Sequence, residues 1–231
     1  MFFSRIKPIR LTLFLLFFVL LTLNASVSYA KQIYLTKEYP TVADTYISSS
    51  DPDLNYGDQE YNYLWYSPSE TDDDVEYRVL LAFNVSGIPS NATLTDVSLV
   101  INWFYLPGPI MVTIFNLTSS FDESNVTWNN SPIFGSKIGS FQITEEDWVT
   151  TWNVTWIVKG NGNIYLGLST STTTSIYASL WGKESTYGFL PKLEVTFYTE
   201  ISDKPTSGFL LFITISILFG GIFLKKREDK Q

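Results

Sequence analysis

The sequence predicts an all-β fold, a jelly-roll-like β-sandwich of about eight to ten antiparallel strands. Three observations carry this expectation. Between residues 31 and 204, apolar residues alternate with polar ones in short runs, Gly, Pro, Asn and Asp punctuate those runs, and no stretch keeps a helical period. Alternation at a period of two sets one face of a strand against a core and the other toward water.

Residues 41–47 and 61–66 open the series as the first two strands. In the next, Tyr77, Val79, Leu81 and Phe83 share one face, with Arg78, Leu80 and Asn84 on the other. Val97, Leu99, Ile101 and Trp103 repeat the pattern, and residues 110–115 follow it. Trp152, Val154, Trp156 and Val158 then form one inward stripe, and Ile164, Leu166 and Leu168 another. Residues 176–181 precede a closing strand marked by Leu193, Val195 and Phe197. Trp128, Trp152 and Trp156 are expected in the core.

Both ends of the chain read differently. Arg5, Lys7 and Arg10 precede an apolar run over residues 11–23, and small residues lead to Ala30, which is the three-part pattern of a secretory signal over residues 1–30 cleaved after Ala30. An uncleaved signal anchor is the alternative reading. Residues 205–224 carry no charge and are just long enough to cross a hydrocarbon core, so a transmembrane helix is expected over 208–224. Lys225, Lys226 and Arg227 follow at once, which favours a cytoplasmic tail over 225–231 and an extracellular domain over 31–200, joined by a stalk at 201–207. The expected location is the cell membrane, single-pass, and later processing near Pro205 stays open.

Composition narrows the function. Residues 31–204 hold eight Lys and Arg against twenty-one Asp and Glu, a formal charge of −13. Such a surface repels nucleic acid and anionic headgroups, and neutral glycans suit it better than polyanions. The chain has no cysteine, so packing alone must hold the fold. Without His or Cys it also lacks the usual general base, thiol nucleophile and zinc ligands. Asp122-Glu123 and Glu145-Glu146-Asp147 offer carboxylates for glycoside hydrolysis, but neighbours on a strand point to opposite faces, so the expectation is a non-enzyme. Asn-x-Ser/Thr sequons stand at Asn84, Asn91, Asn116, Asn125, Asn129 and Asn153, each a candidate glycosylation site of an exported domain.

Two groups of residues are candidates for binding. Asp51, Asp53, Asn55 and Asp58 place side-chain oxygens around Gly57 in the manner of half a calcium loop. Asn62 stands where an EF-hand needs its closing Glu and the glycine is displaced by one, which excludes an EF-hand. Either these four residues hold a structural Ca2+, or the segment is a turn enriched in Asp and Asn for backbone reasons. The second group is a ligand surface. Tyr61, Tyr63 and Trp65 share a strand face, Arg78 projects from its strand's polar side, and Trp181 lies beside Lys183 and Glu184. Aromatic rings lie well against pyranose faces, so Tyr63, Trp65, Arg78 and Trp181 are the expected ligand residues.

Four segments in order, VADTYISSSDPDLNYG, YRVLLAFNVSGIPSNATLTDVSLVI, FDESNVTWNNSP and KESTYGFLPKLEVTFY, resemble the DNRLRE-domain family of extracellular β-sandwich modules, part of which is classed as carbohydrate-binding. The resemblance spans roughly residues 42–198 and implies a sandwich fold with a habit of binding surface polymers. Ala82 and Asn84 stand where the family pattern carries a second basic residue and an Asp, so any contact those groups make in relatives is lost here. The expected function is a membrane-anchored cell-surface module that binds polysaccharide or envelope glycan. The alternative is a structural or adhesive surface protein that contacts other proteins and has no specific glycan ligand.

Overall fold

The structure, a computed structural model, describes residues 30–70, 73–171 and 175–202. The expected signal at the N-terminus, the membrane span at 208–224 and the basic tail lie outside the described residues. Among the described residues no helix is long and apolar enough to cross a membrane. Residues Tyr34–Thr199 form one compact unit.

Ten strands are formed among the described residues: β1 (Ala30–Ser48), β2 (Tyr61–Ser67), β3 (Val75–Val85), β4 (Thr93–Tyr105), β5 (Ile110–Leu117), β6 (Phe134–Ile143), β7 (Val149–Asn153), β8 (Gly162–Thr170), β9 (Ile176–Trp181) and β10 (Lys192–Ser202). The count meets the upper end of the expected range. Nine strands follow the order β1-β10-β4-β9-β2-β3-β8-β5-β6, with β7 added on β4. β1 also pairs with β3, so the order β1, β10, β4, β9, β2, β3 returns on itself around the core. Long strands serve two partners: β4 meets β10 through residues 93–100 and β9 through Trp103 and Tyr105.

The predicted stripes line this core. Val79, Leu81 and Phe83 of β3, Val97, Leu99 and Ile101 of β4, and Leu193, Val195 and Phe197 of β10 are all buried in one cluster. Each Leu, Val or Phe buried this way stabilises the fold by about 1.5–3 kcal/mol relative to exposure, which is how a disulfide-free domain holds together. Trp152 belongs to the same cluster, stacked on Phe141 at 5.3 Å.

Two expectations need correction, and one strand is new. Trp156 is 50% exposed, because β7 ends at Asn153 and a single 3-10 turn over Thr155–Ile157 breaks the alternation that was to carry the stripe inward. The polar-side face of β3 is not open to water at Leu80, which is fully buried with Ile47, Leu117 and Val126 in a second small cluster. Residues 118–133 supply its cover, with Phe121 and Trp128 packed on it. Finally, β6 carried no clear signal. Its sequence FGSKIGSFQI has two glycines and little apolar alternation, and it lies at the end of the strand order, paired with β5.

Candidate functional site

Strand register gathers five aromatic side chains. Trp65 of β2 is opposite Tyr77 of β3 on one side and Tyr177 of β9 on the other. Tyr77 continues the core stripe of β3 past Val79, and β1 brings Tyr46 opposite Val79. Tyr46, Tyr63, Trp65, Tyr77 and Tyr177 thus line a cavity of about 360 Å³. Tyr46 is buried and forms its base, stacked between Tyr56 at 4.2 Å and Tyr77 at 5.6 Å, with Tyr63 edge-on at 5.3 Å. Burial, reinforced by the neighbouring Tyr56 and Tyr77, lifts the Tyr46 phenol far above its ordinary range, so this base stays neutral. Tyr63 and Trp65 are half-buried and Tyr177 is exposed, so the opening presents ring faces and edges. Trp65 Nε1 donates to Ser175 Oγ at 3.1 Å, which fixes the indole.

A second group of rings lies on the same β2–β9 pair. Tyr61 is opposite Trp181, and both contact Phe104 of β4 at centroid distances of 4.2 and 5.0 Å. Tyr187 and Phe189 extend the group from the β9–β10 connection, at 5.0 and 5.9 Å from Trp181. Phe104, Tyr187 and Phe189 are exposed. An exposed aromatic patch of this kind on a domain surface is a binding feature more often than a packing accident.

The structure therefore brings Tyr63 and Trp65 together in the cavity and sets Trp181 in the adjoining patch. Arg78 is elsewhere. It is the strand neighbour of Tyr77 and so faces the opposite side, where its guanidinium lies 4.7 Å over the Trp128 ring and 4.9 Å over Phe134 and pairs with Glu76. Tyr46, Tyr77 and Tyr177 were not among the residues expected from the sequence. A larger depression of about 530 Å³, lined in part by Glu38, Lys192 and Glu194, is less suited to a ligand because those charges already pair with one another.

In the Asp51 to Asp58 segment, the carboxylates of Asp51, Asp53 and Asp58 do not form a converging group of three among the described residues. Asn55 donates from Nδ2 to the carbonyls of Glu123 and Val126, both at 2.7 Å, and Asp53 accepts from Asn129 at 2.8 Å. Asp51 accepts from Ser50, and Asp58 is exposed. The segment docks on residues 122–129 instead, so closely that a Cβ at Gly57 would overlap the Glu123 carbonyl oxygen.

Among the described residues one group of three carboxylates converges: Asp44 of β1, Glu123 of the segment between β5 and β6, and Glu184 of the β9–β10 connection, with ligand atoms within 4.8 Å of one another. Asp44 is 1% exposed. Its oxygens accept from Asn62 Nδ2 at 2.7 Å and from the Lys183 N–H at 2.9 Å, and its own N–H donates to Glu123 Oε1 at 2.7 Å. Lys183 Nζ pairs with Glu123 and Glu184. Burial, aided by the charges of Glu184 and Glu123, pushes the Asp44 carboxyl up to about 7 against the opposing hydrogen bond from Asn62.

The sequons fall on accessible positions with one exception. Asn84, Asn91, Asn125, Asn129 and Asn153 are exposed, and Asn116 is half-buried within β5.

No curated protein matches the chain. Residues 35–197, which span both aromatic groups and all three converging carboxylates, match the profile of carbohydrate-binding module family 96. With most of its length covered by that match on an antiparallel all-β fold, the chain belongs to carbohydrate-binding module family 96.

Proposed function

We propose that this domain binds a neutral polysaccharide in the cavity walled by Tyr63, Trp65 and Tyr177, displayed outside the cell on a C-terminal membrane tether. The observation that supports it most is the cavity lining itself, five aromatic side chains with no basic group among them. Rings of this kind bind the C–H faces of sugars, whereas recognition of uronates or sulfates calls for Arg or Lys. The formal charge of −13 over residues 31–204 adds to the preference for uncharged chains. The neighbouring patch around Trp181 gives a longer polymer further rings to lie against.

The closer likeness to DNRLRE-type modules belongs to the same reading and rests on the four ordered segments. Export and the tether rest on the charge and hydropathy of residues 1–30 and 205–227. Exposed Asn84, Asn91, Asn125, Asn129 and Asn153 would then be open to glycosylation. A purely adhesive or spacing role is less well supported, because it gives no reason for exposed rings on adjacent strands.

The test is a polysaccharide array probed with the full chain in mild detergent, carrying neutral and polyanionic glycans side by side. Retention on neutral chains that Trp65→Ala abolishes is the expected result. Binding confined to polyanions, or unchanged in Trp65→Ala, would overturn the reading.

A further inference from the structure

We propose that Asp44, Glu123 and Glu184, with the side-chain oxygen of Asn62, form a divalent-cation site of calcium type. Three carboxylates whose ligand atoms lie within 4.8 Å of one another bring a charge of −3 when all are ionised, and Lys183 offsets one unit of it. The lysine pairs with Glu123 and Glu184 and not with Asp44. Among the described residues no basic side chain pairs with Asp44, although it is 1% exposed. The remaining −2 matches one divalent ion.

The second observation is Asn62. Its side chain is 1% exposed, its Nδ2 touches Asp44 Oδ1 at 2.7 Å, and its Oδ1 has no hydrogen-bond partner. A buried amide oxygen without a partner is rare in a native fold and calls for a ligand. As it stands the amide turns its nitrogen to Asp44; rotating it by half a turn brings the oxygen to the carboxylate group, frees Asp44 Oδ1 to bind a cation too, and leaves the nitrogen in the place the oxygen held. Glu184 Oε2 is likewise buried and unpartnered. All the donors are oxygens, with no imidazole or thiolate, which selects a hard ion such as calcium over zinc.

The ion would tie together four separate parts of the chain: β1, β2, the β5–β6 segment and the β9–β10 connection. Asp44 is two residues from Tyr46, and Asn62 adjoins Tyr63. The site would therefore brace the base and one wall of the aromatic cavity, although it does not depend on what the cavity binds. The Asp51 to Asp58 segment has a supporting role, because Asn55 and Gly57 hold Glu123 in place.

The experiment titrates calcium chloride into chelator-stripped full chain in mild detergent, by calorimetry and thermal melts, with terbium luminescence sensitised by nearby aromatic rings as a third readout. Wild type is expected to bind one ion and melt higher with calcium. Asp44→Asn and Glu184→Gln should each weaken binding by roughly tenfold or more, since each removes one full ligand charge. The triple variant Asp51→Asn, Asp53→Asn, Asp58→Asn should bind as wild type does. Glu184→Gln alters a half-buried side chain, so it keeps the test decisive should Asp44→Asn fold poorly. No calcium response in folded wild type, or binding that survives both carboxylate variants and is lost in the triple variant, would overturn the proposal.

Discussion

Trp65 of β2 lies directly opposite Tyr77 of β3, and its indole meets the tyrosine ring edge to face at a centroid distance of 5.1 Å. Tyr77 in turn stacks on the buried Tyr46. The exposed wall of the cavity is thereby coupled to a ring anchored in the core, so the side chains that would meet a ligand are already ordered. Preorganisation of this kind reduces the entropy lost on binding.

Replacing Trp65 by Ala should remove the central ring of the cavity and weaken neutral-polysaccharide binding by at least roughly tenfold, about 1.4 kcal/mol. Trp65→Phe should recover part of the loss. Trp181→Ala, acting in the adjoining patch, should weaken long chains and leave short oligosaccharides unaffected. Affinity electrophoresis and calorimetry with oligomers of graded length distinguish these outcomes, and equal losses at every length would argue against an extended site.

Arg78 offers the opposite expectation. Its guanidinium sits between Trp128 and Phe134, and Glu76 retains a hydrogen bond from Ser169 at 2.8 Å if the arginine is removed. The cation–π contacts and the two-point, part-buried pairing with Glu76 should therefore both contribute. Arg78→Met is expected to lower stability by about 1–2 kcal/mol in a denaturant melt while glycan affinity stays unchanged. A loss of binding without a loss of stability would return Arg78 to the ligand surface.

Gly57→Ala tests how the 51–58 segment acts. The new methyl group would collide with the backbone of Glu123, which cannot move aside as a flexible side chain would. Overpacking of this kind costs about 1–3 kcal/mol. Because the collision displaces Glu123, the variant should also show a smaller rise in melting temperature with calcium than wild type. Parallel melts in calcium and in chelator check both effects.

The strands with clean alternation were legible, because a period of two in β3, β4, β8 and β10 reflects burial on one face. β6 was not, since glycines and serines on an edge strand leave no pattern to read. Trp156 misled because three residues of 3-10 turn shift the phase without any Gly or Pro to announce it. Tyr63 and Trp65 could be found as a shared face of one strand. Tyr46 and Tyr177 could not, because only the pairing of β2 with β9 and of β1 with β3 brings them to the cavity. The same limit applies to the carboxylates. The D-x-D-x-N spacing drew attention to Asp51 and Asp53, whereas Asp44, Glu123 and Glu184 are scattered over the chain and meet only in three dimensions.

The Asp44 carboxyl makes stability depend on pH in a direction that can be worked out. In the unfolded chain an Asp titrates near its ordinary value of 3.8, and in the ion-free fold burial carries Asp44 to about 7. Between those values the folded state keeps a proton that the unfolded state has released. Stability therefore falls as pH rises from about 4 to about 7 and levels off above, by a total on the order of 2–4 kcal/mol. In chelator, melting temperature should drop across this window relative to Asp44→Asn, which has no proton to lose there. The Asn variant keeps one hydrogen bond to Asn62 once the Asn62 amide turns, and the turned amide nitrogen then takes the unpartnered place of the oxygen. It should melt above ion-free wild type at pH 8, and a variant that melts lower there would show that the Asp44 charge itself stabilises the fold.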